Sequence, residues 1–225
     1  VVFEDIFDPH NVGAGMRTAD GYGLQDVHVV TEKHGFRGPG TVARSAEQWL
    51  TVHRHAAAEP AIAALRREGF AIWVSDLDAP DALDALPVNG KVALVIGNEA
   101  EGISAAMRAA ADVRFVLPMH GMVQSFNLSV ALAISLEHVA RARRRALAAE
   151  GLSGDLPLDR QWALRQRWLE FGVRTPPKMR KAYATDLDDD VQRASDQAML
   201  ADQAIAGAEL LAATARARVI MSTLD

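Results

Sequence analysis

The run Val92-Ala93-Leu94-Val95-Ile96, closed by Gly97, constrains the fold more than any other segment. Consecutive apolar residues without alternation cannot present one face of a strand to water. A strand buried on both faces needs helices on each side, which is the arrangement of a mostly parallel α/β sheet. Shorter runs repeat the theme and predict strands over residues 1–7, 27–30, 50–52, 70–74 and 113–117. Between them the pattern predicts helices over 12–22, with Asn11 as cap, over 59–68, with Pro60 at the first position, over 104–111 and over 124–146. A short helix is expected within 41–49, and 79–86 reads as a short acidic turn or helix. Polar or glycine-rich breaks follow Phe7, Val74, Ile96 and Leu117. In open sheets of this kind, ligands sit beyond the carboxyl ends of the strands.

A chain of 225 residues, 49% hydrophobic, suits one α/β domain with an appendage. We therefore expect a domain over 1–150 and a helical extension over 151–225. The formal charge of −5 does not by itself suggest a nucleic-acid partner, but its distribution is uneven. Residues 1–137 carry 10 Lys/Arg against 17 Asp/Glu, residues 138–181 carry 11 against 4, and residues 182–225 carry 3 against 8. A basic segment thus separates an acidic body from an acidic, alanine-rich tail that reads as one or two exposed helices. Within the basic segment, Trp162, Leu164, Trp168 and Phe171 recur at helical spacing, the pattern of core packing. Residues 31–41 form a polar, glycine-rich loop with Lys33, His34 and Arg37. With no cysteine there is neither a disulfide framework nor a thiolate metal site, and the seven histidines lack metal-ligand spacing. No apolar run approaches the ~18–20 residues of a membrane span, and no signal-peptide pattern is visible, so a cytoplasmic location is expected. The chain begins inside an apolar run at Val1, which suggests an N-terminal extension before it.

Three stretches concentrate the polar groups. Gly97-Asn98-Glu99-Ala100-Glu101-Gly102 links a buried strand to a helix, but it has neither Gly-Lys-Ser/Thr nor a spaced Gly-x-Gly-x-x-Gly. Two carboxylates there would repel a phosphate, so a cationic or hydroxyl-bearing ligand suits the loop better; a plain turn with a capping glutamate is the other reading. Arg17 lies among Ala14, Met16 and Ala19, where a partly buried, directed guanidinium could bind phosphate. Gly13 and Gly15 permit close approach of backbone or ligand nearby. From Leu117 to Ala131 the chain passes from strand to helix through Gln124, Ser125, Asn127 and Ser129. Polar groups wedged between buried elements need partners, supplied here by helix capping, by a ligand, or by both.

Together these blocks resemble a known family. Asp8-Pro9-His10-Asn11 with Arg17-Thr18-Ala19, Ile96 through Ile103, and Leu117-Pro118-Met119 through Ser125-Phe126-Asn127-Leu128-Ser129 are similar to the three motifs of the SpoU/TrmH family of SPOUT RNA methyltransferases. Phe126 replaces the usual leucine, an apolar exchange. The Gly121–Ser125 run resembles the tRNA-acting branch more than the rRNA-acting one. The resemblance implies an α/β fold whose C-terminal part forms a trefoil knot, binding of S-adenosylmethionine at Ser75, Gly97, Leu117 and Phe126, and a homodimer. It implies methylation of a ribose 2′-hydroxyl in RNA, that of a D-loop guanosine of tRNA. Arg17 would clamp the adjacent phosphate and stabilise the alkoxide, Asn11 would orient Arg17, and Glu99, Ser125 and Asn127 would hold the ribose, the arginine and the knot loop. An rRNA substrate, or an RNA-binding SPOUT protein without catalysis, are the alternatives. The basic segment would contact the RNA backbone.

Overall fold

The computed structural model describes residues 1–33, 46–152 and 154–174, with side chains up to residue 168. The described chain divides into two units, Val1–Asp155 and a second that begins at Leu156. The first holds strands β1 (Val2–Glu4), β2 (Asp26–Val30), β3 (Thr51–His55), β4 (Ala71–Ser75), β5 (Asp81–Ala82), β6 (Val92–Ile96) and β7 (Val113–Val116), with helices α1 (Pro9–Gly21), α2 (Ala58–Arg67), α3 (Ala105–Ala109) and α4 (Leu128–Ala149). All seven strands pair in parallel, in the order β3-β2-β1-β6-β4-β7-β5. The opening run of the sequence is thus the central strand, β6.

Its alternate residues supply two cores. Leu94 and Ile96 join Phe3, Val12, Met16, Phe115, Leu132 and Leu136 on the face covered by α1 and α4. Ala93 and Val95 join Ala61, Leu65, Ile72, Val74 and Met107 on the face covered by α2 and α3. α1 packs so closely that a Cβ on Gly15 would lie 2.5 Å from the Phe3 ring, so this glycine serves helix-to-sheet packing.

Several boundaries differ from those expected. α1 starts at Pro9 because the Asp8 side chain accepts from the His10 N–H, displacing Asn11 from the cap to the first turn. α4 starts at Leu128, not residue 124, because Asn127 caps it by accepting from Ser129 N. α2 begins at Ala58, so Pro60 is its third residue. The acidic segment after β4 forms the two-residue strand β5 and a short 3₁₀ turn, Leu83–Ala85. Residues 34–45, with His34, Arg37 and most of the helix expected within 41–49, lie outside the described residues, as do the side chain of Phe171 and the whole acidic tail. In the second unit, α5 spans Leu158–Arg174. There Leu164 is buried but Trp162 is 61% exposed, so helical spacing misreads it as core. No described helix is long and apolar enough to cross a membrane.

At the sheet edge, His28 is buried and its Nδ1 lies 3.0 Å from His55 Nε2, while His53 Nε2 meets Asp26 Oδ1 at 2.8 Å. Among the described residues no group of three metal-ligating side chains forms there or elsewhere. Burial, foremost, and the neighbouring imidazoles of His53 and His55 push the His28 pKa down to about 3. An unfolded imidazole takes up a proton below about 6.5, whereas the native one stays neutral. Stability is therefore expected to fall as pH drops from about 6.5 towards 3, by up to ~1.4 kcal/mol per pH unit for this one group. Urea titrations at several pH values in that range check this, and His28→Leu should flatten the dependence.

Candidate active site

β1 pairs with β2 on one side and β6 on the other, and β4 lies beyond β6. The chain winds outward from β1 through β2 to β3, then returns to build the other half, so the winding order reverses between β1 and β6. The loops leaving these strands meet α1 and the start of α4. Asn11, in the first turn of α1, donates from Nδ2 to Glu99 Oε1 at 2.8 Å. Asn127 donates from Nδ2 to Asn11 Oδ1 at 3.1 Å, and its own Oδ1 accepts from Ser129 N and Oγ. The second Glu99 oxygen accepts from the Phe7 N–H at 3.3 Å. Three segments far apart in sequence therefore converge on one solvent-facing polar line.

Arg17 lies further along α1, exposed, and Ser125 is exposed in the irregular 117–127 segment. Among the described residues neither makes a hydrogen bond or ion pair; in the single chain Asn11 is engaged by Glu99 and Asn127, not by Arg17. The four residues expected to line the cofactor fall into a related pattern. Ser75 ends β4, Gly97 follows β6 and Leu117 follows β7, so three neighbouring strands deliver them to one edge of the sheet. Phe126, 38% exposed, precedes the α4 cap.

Reading the sequence did not find the scaffold beneath this line. Asn98 is buried, and its Oδ1 accepts from Ala100 N and Glu101 N at 2.8 and 3.0 Å. Its backbone exchanges two 2.9 Å hydrogen bonds with Gly102. Asn followed by Gly four residues later was the available signal. Glu4, buried at the end of β1, accepts from Ser104 N at 2.9 Å and Ser104 Oγ at 2.6 Å. Burial raises its pKa, and the Ser104 hydrogen bonds oppose that shift. Asp76, after Ser75, is a buried carboxylate held by Arg108 at 3.2 Å and Arg114 at 2.9 Å. It immobilises the turn beyond β4 by pairing with both guanidinium groups near the sheet edge.

The strand ends of a parallel, doubly wound sheet thus carry an Asn11–Glu99–Asn127 line. Comparison with known proteins identifies the family. The SpoU rRNA methylase family model matches residues 1–137, and the chain belongs to this family. It is 35% identical over 146 residues to the tRNA (guanosine(18)-2′-O)-methyltransferase of Borreliella burgdorferi, covering 64% of this chain and 67% of that one. It is 34% identical over 148 residues to the Escherichia coli enzyme of the same name, covering 65% and 64%. The alignments thus span about two thirds of these relatives' length. Among solved structures, the A. aeolicus TrmH/SpoU tRNA modifying enzyme superposes with a TM-score of 0.65 at 24% identity, covering 76% of this chain and 87% of that one, a likeness of fold. The SpoU methyltransferase AviRb of Streptomyces viridochromogenes, solved with AdoMet, gives a TM-score of 0.56 at 25% identity, covering 63% and 56%.

Proposed function

We propose that this protein methylates a ribose 2′-hydroxyl of RNA with S-adenosylmethionine as donor, and that its substrate is a D-loop guanosine of tRNA. The observation that carries the reading is the Glu99–Asn11–Asn127 line, which joins residues of all three motifs at the strand-end site. The names of the curated relatives favour tRNA over rRNA.

The site chemistry fits the donor. Ser75, Gly97 and Leu117 offer main-chain groups and apolar surface at adjacent strand ends, and the arginines nearest Ser75 are occupied by Asp76. Such a cradle suits an adenosine recognised through N–H and C=O groups. When bound, S-adenosylmethionine supplies an electrophilic methyl group. The protein's part is to ready the ribose oxygen, a poor nucleophile until it loses its proton. A guanidinium with a pKa above ~12 is a poor base, so we assign Arg17 to clamping the neighbouring phosphate and stabilising the developing alkoxide, with phosphate or water taking the proton. Glu99 and Asn127 fix Asn11 and the start of α4, and Ser125 contributes to holding the knot loop.

The wider assembly follows the same reading. We assign catalysis to the first unit and infer that the segment from β7 to α4 forms the knot. Met122, Val123, Phe126, Val130 and Ile134 form an exposed apolar series, which supports a homodimer that covers them. Ile134→Glu is expected to shift the protein from dimer to monomer in sedimentation velocity. Along α4, a groove of about 460 Å³ is lined by Tyr22, Glu137, Arg141, Arg144, Arg145 and Ala148. Its net positive charge supports contact with the RNA backbone. Binding should weaken steeply with salt, by a log–log slope of about −2 to −3 if three phosphates are met. A tRNA substrate supports a cytoplasmic location.

The deciding experiment is methyl transfer from labelled S-adenosylmethionine to unmodified tRNA, beside an rRNA fragment and a tRNA carrying 2′-deoxyguanosine at the mapped position. Label in tRNA that the deoxy substitution abolishes is the expected result. Transfer to rRNA alone refutes the substrate, and no transfer to either refutes the activity.

A further inference from the structure

We propose that Asp5 is a positioning residue for the methyl-transfer site, setting the Asn98–Gly102 turn and, through it, the Glu99 carboxylate; the inference rests on the function proposed above. Asp5 is the one non-glycine residue with positive φ among those described, at +50°. Residues with a Cβ seldom adopt that conformation, aspartate and asparagine more readily than most, and neighbouring contacts hold them there. Here they do. The Asp5 N–H donates to Val30 O at 3.0 Å. Its Oδ1 accepts from the N–H groups of Glu32 and Lys33 at 2.8 and 3.0 Å. Its carbonyl accepts from Asn98 Nδ2 at 2.6 Å. One residue thus ties the end of β1 to the loops leaving β2 and β6, and the Lys33–Glu101 ion pair closes the same joint from outside.

The consequence falls on Glu99. Asn98 is buried and spends its Oδ1 on the amides of Ala100 and Glu101, so its amide nitrogen depends on the Asp5 carbonyl. Residues 5–7 and 98–99 are clasped twice, through Asp5 O with Asn98 Nδ2 and through Phe7 N with Glu99 Oε2. If Asp5 relaxes to an extended φ, it cannot serve Val30, Glu32, Lys33 and Asn98 together. The turn then shifts, carrying away the carboxylate that holds Asn11.

Three substitutions separate the possible roles. Asp5→Asn keeps an Oδ1 acceptor and a side chain that tolerates left-handed φ; Asp5→Gly keeps only the φ; Asp5→Ala keeps neither. Expected are kcat within about threefold of wild type for Asn, and at least tenfold lower for Gly and Ala, with the cofactor Kd within about twofold throughout. Full activity of the Gly or Ala variant, or an Asn variant as poor as Ala, overturns the proposal. Should Gly and Ala fail to fold, Asn98→Asp decides: it is isosteric, retains Oδ1 for Ala100 and Glu101, and removes the donor to Asp5. A kcat loss of at least about tenfold supports the clasp, and normal turnover overturns it. Amide exchange of Ala100 and Glu101 is read in parallel: protected in wild type and Asp5→Asn, faster in Asp5→Gly or Asn98→Asp, with unchanged exchange overturning the proposal. A wild-type protein that methylates no RNA refutes the functional reading alone, because the exchange measurement still decides whether Asp5 sets the turn.

Discussion

Arg17→Ala is expected to lower kcat for methyl transfer by about 10²–10³-fold while leaving the fold intact. The two halves of that statement have separate grounds. Arg17 is exposed and, among the described residues, makes no hydrogen bond or ion pair. Truncating it removes nothing that holds α1 in place, and such surface changes shift stability by less than ~0.5 kcal/mol. The loss of activity follows from the proposed role, in which Arg17 is the cation that meets the charge developing on the ribose oxygen. Arg17→Lys should recover only part of it, since an ammonium cannot bridge phosphate and alkoxide with a planar fork. Single-turnover transfer beside a melting curve and a cofactor titration tests both halves. Normal turnover with normal cofactor binding would remove Arg17 from the mechanism.

Gly97→Ala should do the reverse, damaging structure and function together. A Cβ there would sit 2.4 Å from the Gly102 carbonyl oxygen, 2.5 Å from its carbon and 2.7 Å from Ile103 Cδ1. The first two are backbone atoms and cannot swing aside, so the paired hydrogen bonds between Asn98 and Gly102 must open. Forcing atoms into a packed site costs about 1–3 kcal/mol, and each kcal/mol lowers Tm by about 2–4 °C in a chain of this size. Because Gly97 also follows the central strand at the edge proposed for the cofactor, the S-adenosylmethionine Kd should rise at least about tenfold, as a loss near 1.4 kcal/mol would give. Gly121→Ala is the control: a Cβ there meets nothing within 4 Å, and its Tm should stay at the wild-type value. Equal effects of the two substitutions would refute the steric argument.

The sheet was legible because burial leaves a local trace. Val92–Ile96 announces a strand covered on both faces, and the structure places it at the centre with the expected bounds. Strand order carries no such trace, since the neighbours of β6 are residues 2–3 and 71–74. Helix starts were legible only as candidates. Asp8 and Asn11 can both cap, and Pro9 decides between them by taking the first helical position. Gln124, Ser125 and Asn127 all look polar enough to begin α4, and only Asn127 accepts the Ser129 amide. At the site, Asn11, Glu99 and Asn127 were singled out from motif resemblance, because nothing in their spacing says that they touch. Asp5 and Asn98 escaped notice for the opposite reason. The φ of Asp5 is imposed by Glu32, Lys33 and Asn98, which no local pattern connects. Trp162 shows the limit of periodicity, which marks a stripe on a helix but not whether anything lies against it.

The pairing of β1 with β6 and the packing of α1 on α4 also govern how the molecule is made. Phe3, Val12 and Met16 are synthesised early, yet the Leu132 and Leu136 side chains that share their core come more than a hundred residues later. Until α4 emerges, that apolar face has no cover, and no early fragment can close it from local contacts. Parallel sheets with such distant partners fold slowly and expose sticky surface while they wait. A chain stopped before Leu128 should therefore accumulate as aggregate rather than as a smaller folded domain, and the intact chain should depend on chaperones during synthesis.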